Sequence, residues 1–259
     1  MTQAERRLFL IRSLLKERPE YRELRIPQDA DGQRQLLRSL MNVRAPRKTD
    51  AEFLTVQDAY LRQALAEDGV THLDDLRPVS GDLYLWQGDI TRLACGAIVN
   101  AANSGLTGCY IPCHACIDNC IHTYAGVQLR LDCADLMAQQ GHEEPTGQAK
   151  LTQAYNLPCD YVLHTVGPIV DGRMTARDEH LLASCYRSCL KLAEEHGIES
   201  IAFCCISTGV FHFPGQRAAE IAVETVRRYK AEQNSHIKVI FNVFKDSDKK
   251  IYEQLLGTD

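Results

Sequence analysis

The 259-residue sequence predicts a three-layer α/β body preceded by a helical extension. Three observations carry this expectation. Apolar residues recur at helical spacing through roughly the first 75 positions, strand-like runs begin near Asp82, and helical stretches lie between or after those runs. Several runs, "SIAFCCIS" among them, are continuously apolar, as strands covered on both faces are.

Taken in order, residues 1–75 read as a helical amino-terminal extension packed on the body, and residues 76–259 as the body itself. In the extension, Leu8, Ile11, Leu14 and Leu15 share one face. Leu36, Leu37, Leu40 and Met41 mark a second helix, and "DAEFLTVQDAYLRQALAEDG" a third that closes on glycine. Pro19, Pro27 and Pro46 break the gaps between them. The body offers "DLYLWQGDI", "AIVNAAN", "AKLTQAYNL", "YVLHTVGP", "SIAFCCIS" and "KVIFNVFKD" as strands. Helices are expected from Ile117 to Gln140, Ala176 to His196, Gly215 to Gln233 and Asp248 to Leu256. In such α/β bodies ligands bind beyond the carboxyl ends of the strands.

Bulk properties exclude several classes. The amphipathic start, with charges inside its apolar pattern and no small-residue cleavage site after it, reads as a helix and is not expected to be a signal peptide. No apolar run is long enough to span a bilayer, so no membrane partner is expected. A net charge of −5 argues against general nucleic-acid binding. Eleven cysteines, an odd number spread through core strands, suit a reducing cytoplasm better than a disulfide scaffold. The oligomeric state is not legible, and a monomer is the default.

Four stretches carry candidate chemistry. In "GDIT", Asp89 at a strand end can accept a hydrogen bond from an exocyclic amine, with the adjacent backbone of Ile90 adding a second contact. In "AIVNAANSGLTG", Asn100 and Asn103 offer amides to vicinal hydroxyls. In "STGVFHFPGQRAAE", a small-residue loop opens a helix, and its backbone N–H groups can cradle a diphosphate. Neither a Walker loop nor a GxGxxG fingerprint occurs. The fourth, "GCYIPCHACIDNCIHTYAG", packs four cysteines and two histidines together. Its composition admits a redox pair, a closed structural zinc site using Cys113 as well, or a catalytic site with an open position. Cys120 and His122 read as helix residues with packing roles. Elsewhere, "GHEEPTG" reads as an exposed loop and His164 as a packed strand residue.

The order and spacing of "GDIT", "AIVNAAN", "HTVGP" and "ISTGVFHFP" resemble the macrodomain family from Asp82 to about Leu256. The resemblance implies a mixed central sheet between helices and a cleft for ADP-ribose. It assigns Asp89 and Ile90 to adenine, Asn100 and Asn103 to the distal ribose, and Ser207, Thr208, Gly209, Val210 and Phe211 to the diphosphate, with Phe211 also shielding a ribose face. The stretch C-x4-H-x-C followed by I-D-N resembles the zinc-dependent branch, whose members carry a helical amino-terminal extension. That implies one zinc ion on Cys109, His114 and Cys116, beside Ile117 and Asp118. Thiolate and imidazole suit zinc, and three protein ligands leave its fourth position open. Asp118 would orient or deprotonate a water and Asn103 would position the sugar. The implied activity is release of mono-ADP-ribose from modified protein. The alternatives are a reader that binds ADP-ribose without cleaving it, and a deacetylase of O-acyl-ADP-ribose.

Overall fold

The computed structural model describes residues 1–21 and 23–257, so the final two residues of the expected body lie outside the described residues. Three helices open the chain: α1 (Gln3–Lys16), α2 (Ala30–Val43) and α3 (Ala51–Asp68). Thr2, Asp29 and Asp50 each cap one by accepting a first-turn backbone N–H, which satisfies a donor the helix leaves unpaired. Leu10, Ile11 and Leu14 of α1, Leu37, Leu40 and Met41 of α2, and Phe53, Val56, Tyr60 and Leu61 of α3 form an apolar core joined by Val127. Each such large side chain, once buried, stabilises by about 1.5–3 kcal/mol. Leu8 and Leu15 are only half-buried, because α1 turns Arg7 inward, where its Nε donates to Gln33 Oε1 at 3.0 Å.

After a short parallel pair, β1 (Thr71–His72) with β4 (Leu93–Ala94), the remaining strands form one sheet. They are β2 (Pro78–Ser80), β3 (Leu83–Gln87), β5 (Ala97–Ala102), β6 (Ala149–Gln153), β7 (Tyr161–Val166), β8 (Ser200–Phe203) and β9 (Lys238–Val243). Their order is β2-β3-β9-β8-β5-β7-β6. The five central strands run parallel, whereas β2 and β6 pair antiparallel at the edges. The sheet is mixed, as the resemblance implied. Helices α4 (Ile117–Ala125), α5 (Val127–Gln140), α6 (Ala176–Glu195), α7 (Gly215–Gln233) and α8 (Asp246–Leu256) flank it. Every residue of β8 is buried, which accounts for its lack of alternation.

One helix expected from Ile117 to Gln140 is two. Gly126 breaks it with φ +102°, and the side chain of Gln57, from α3, fills the joint. Gln57 is fully buried, and its Oε1 accepts the backbone N–H of Val127 at 3.0 Å, so it supplies the first acceptor that α5 needs. A Cβ at Gly126 would lie 2.6 Å from Gln57 Nε2. Strand β8 ends at Phe203, so Cys204 to Ser207 already belong to the loop at its carboxyl end.

Candidate active site

The carboxyl ends of the parallel strands face a cavity of about 460 Å³. Asp89, Ile90, Ile117 and all five residues from Ser207 to Phe211 line it. At one end, Asp89 caps a single turn (Ile90–Arg92), its Oδ1 accepting from the Thr91 N–H at 3.0 Å and the Thr91 hydroxyl at 2.7 Å. The backbone beside it is fixed from β9, since Gly88 N donates to Val243 O at 3.0 Å and Asn242 Nδ2 donates to Gly88 O at 2.9 Å.

The loop after β8 is held by its own backbone. Phe213 N donates to Ser207 O at 3.0 Å, His212 N to Gly209 O at 3.1 Å and the Thr208 hydroxyl to Cys205 O at 2.9 Å. Val170 N, from the segment after β7, adds a bond to Phe211 O at 2.9 Å. Ser207 sits at φ +63° with its hydroxyl buried and unpartnered. Gly167 of the "HTVGP" stretch lies against this side chain, and a Cβ there would come within 2.0 Å of Ser207 Oγ unless the loop shifted.

The cysteine-rich loop joins β5 to α4. One ligand atom each from Cys109, His114 and Cys116 lies within 4.8 Å of the others, and Cys109 Sγ stands 3.5 Å from His114 Nδ1. Around a tetrahedral zinc such atoms are about 3.5–3.8 Å apart, so a small contraction suffices and the donor set fits that ion. Cys116 caps α4, its Sγ accepting from Asn119 N at 3.4 Å. Burial, followed by the charges of Cys109 and Asp118, pushes its thiol up to about 12. Cys116 also lines the cavity, which sets the trio at its edge, whereas Cys109, His114, Asn103 and Asp118 do not line it. Cys113 is exposed at φ +53°, with its sulfur 3.2 Å from Ser39 Oγ, outside the trio. Cys113 is not among the ligand atoms that come within 4.8 Å of one another, so the three-residue set and not a four-residue one is brought together.

Asp118 is 5% exposed. Its Oδ1 accepts from Asn100 Nδ2 at 2.8 Å and its Oδ2 from Asn103 Nδ2 at 3.2 Å. Burial raises this carboxyl to about 6 against the opposing pull of the Asn100 bond, the Arg130 charge and the Asn103 bond. Asn103 is half-buried and also reaches Gly108 O at 3.2 Å. Asn100 corrects the sequence expectation: it is fully buried, so its amide braces Asp118 and His164 and does not face the cleft. Strand β5 is covered on both faces, and the asparagine points into the packed side. Glu144 of "GHEEPTG" is likewise buried, paired to Lys150 Nζ at 3.2 Å with its backbone N–H on Ser104 O, so that loop is not wholly exposed.

A second group, His122, Cys133 and His164, is fully buried and equally close-set. It does not make a second metal centre. Asp118 requires the amide nitrogen of Asn100, which therefore also donates to His164 Nδ1 at 3.1 Å. The hydrogen-bond network then assigns the His164 proton to Nε2, which donates to the Thr152 hydroxyl at 2.9 Å and leaves no free lone pair. Burial keeps His122 neutral, and its ring packs against Gly108, where a Cβ would come within 2.7 Å.

Residues not foreseen also line the cavity: Arg38 from α2, and Asn242, Phe244, Lys245 and Asp248 after or on β9 and α8. The second set sits at a strand's carboxyl end, which was signal enough to find it. Arg38 had no such signal.

The Macro domain family model matches residues 99–222. A protein-ADP-ribose hydrolase of Treponema medium is 62% identical over 261 residues, covering 99% of this chain and 100% of its own length. One of Staphylococcus aureus is 50% identical over 253 residues, covering 97% of this chain and 95% of its own. Among solved structures, the Trypanosoma brucei macrodomain in complex with ADP-ribose matches with a TM-score of 0.66 at 31% identity, over 85% of this chain and 95% of that one. Fold, cleft and relatives agree, and the chain belongs to the macrodomain family, in the group that contains these protein-ADP-ribose hydrolases.

Proposed function

We propose that this protein is a zinc-dependent hydrolase that releases mono-ADP-ribose from modified protein side chains. The observation that carries the reading is the Cys109–His114–Cys116 trio at the edge of the cavity, opening α4. A protein that only reads ADP-ribose has no use for an open sulfur–imidazole set there. The relatives' name and the ADP-ribose held by the trypanosomal macrodomain support the nucleotide half of the reading.

In this account Asp89 and the Ile90 backbone hold adenine, and the N–H groups from Ser207 to Phe211 cradle the diphosphate, which directs the distal sugar toward α4. Held by the trio, a zinc ion would supply a Lewis acid that lowers the pKa of a nearby water or sugar hydroxyl. Asn103 orients the ribose. Asp118, fixed by Asn100 and Asn103, accepts the proton of the attacking water as the bond from the sugar to the protein side chain breaks. Division of the chain into residues 1–75 and 76–259 belongs to the same reading and is supported by the two separate apolar cores.

The test is free ADP-ribose released from a mono-ADP-ribosylated protein, measured beside the metal content of the same preparation. One equivalent of zinc with steady release is expected. Tight ADP-ribose binding with no release would leave a reader, and release only from O-acyl-ADP-ribose would leave a deacetylase.

A further inference from the structure

Arg38 belongs to the helical extension, yet it lines the same cavity as Asp89, Ile90 and Cys120. One of its guanidinium nitrogens, Nη2, donates to His114 O at 2.8 Å and Asn119 Oδ1 at 2.9 Å and lies 3.5 Å from Cys120 Sγ. Three contacts on one nitrogen fix the plane of the group. Its Nε–H is buried and has no partner. None of the ion pairs among the described residues includes Arg38, so its charge is not neutralised by a carboxylate. A buried donor on an unneutralised cation costs stability unless something in the cleft accepts from it.

The position of Arg38 along the cleft selects what that something is. Arg38 shares the lining of one cavity with Asp89 and Ile90 on one side and with Cys116 and Cys120 of the metal-loop end of α4 on the other. We propose that Arg38, supplied by the amino-terminal extension, is a nucleotide-binding residue that contacts the ADP half of the ligand. The inference rests on the reading of the cavity as a nucleotide site. An anionic diphosphate satisfies both needs of the group, a partner for the N–H and a counter-charge, and the acceptor edge of a purine satisfies the first. The extension is then part of the binding site, and its Nη2 contacts hold the guanidinium ready before the ligand arrives.

The experiment is calorimetric titration of full-length wild-type, Arg38→Met and Arg38→Lys proteins with ADP-ribose and, separately, with ADP. Arg38→Met keeps the aliphatic stem and removes the guanidinium. It is expected to weaken ADP and ADP-ribose by the same factor, about 10-fold or more for a charged hydrogen bond. Arg38→Lys, which keeps the charge but not the planar fork, is expected to fall between the two. Unchanged ADP affinity in Arg38→Met overturns the proposal. So does a loss confined to ADP-ribose, because that pattern means Arg38 acts only through the metal loop. Should Arg38→Met not fold, as judged by its thermal transition, Arg38→Lys decides: wild-type affinity for both ligands overturns the proposal. Failure of the wild-type protein to bind ADP-ribose overturns the nucleotide reading itself and is seen before any variant is made.

Discussion

Two loops frame the cleft, and they are held in place by opposite means. The loop from Cys205 to Phe213 bonds mostly to itself, through Ser207, Gly209 and Cys205 carbonyls, with one bond from Val170. The loop from Gly108 to Cys116 has a single internal backbone bond, His114 N to Ile111 O at 3.2 Å. Apart from the contact of Cys109 Sγ with His114 Nδ1, everything else that holds it comes from outside. Asn42 Oδ1 accepts Cys113 N at 2.9 Å, Arg38 reaches His114 O, and Asn119 Nδ2 donates to Ile111 O at 3.0 Å and to Cys109 O at 3.4 Å. Arg130 bonds Cys109 O and the Asn42 and Arg44 carbonyls at the end of α2, while its guanidinium stacks 4.3 Å from the Tyr110 ring centre. On the proposed reading, a loop that recognises a diphosphate through backbone N–H groups needs only its own conformation, and a loop that is to hold three ligand atoms in one place needs rigid neighbours such as α2 and α4.

The contrast can be broken at several points. The largest effect is expected from Cys116→Ala, which removes one proposed zinc ligand and the cap of α4 together. Release of ADP-ribose should fall by at least about 100-fold, since a Lewis acid contributes several kcal/mol, and zinc content should drop toward zero. ADP affinity, measured by calorimetry, should change little. Next, Asn119→Ala deletes both carbonyl bonds to the metal loop, together with the Oδ1 that accepts from Arg38, without touching a proposed ligand atom. Zinc affinity, read by competition with a chelator, should weaken by about 10- to 100-fold, the usual cost of losing a group that orients a ligand.

Gly167→Ala addresses the other loop. Its methyl would meet Ser207 Oγ, and relief of that contact at about 1–3 kcal/mol has to come from the diphosphate loop. ADP and ADP-ribose affinities should fall together by about 10-fold while zinc content holds. The smallest effect is expected from Thr91→Val. It removes the hydroxyl bond to Asp89 and should lower ADP affinity only a few-fold, for a loss of about 0.5–1.5 kcal/mol.

Most of the fold was legible because its signals are local. Strands buried on both faces read as apolar runs, and amphipathic helices read by period. What escaped had nonlocal or very short causes. β1, β2 and β4 hold two or three residues each, too few to show a period. The break at Gly126 depends on Gln57, a residue from another helix. The site divides in the same way. Asp89 and Ser207 to Phe211 follow strand ends, and that position placed them on the cavity wall. Asn100 was found by type but not by direction, since β5 is buried on both faces and gives no alternation to orient it. Arg38 and Asn42 meet the metal loop across more than 70 residues of chain, a distance at which no motif reports a contact.

The account turns on where a metal sits. Anomalous diffraction at the zinc edge from crystals of the full-length protein grown with ADP-ribose measures that directly. The account predicts one peak between Cys109 Sγ, His114 Nδ1 and Cys116 Sγ, next to the distal ribose of the bound nucleotide. A crystal with ADP-ribose in the cleft and no peak at that trio, or with the peak shut away from the sugar, contradicts it.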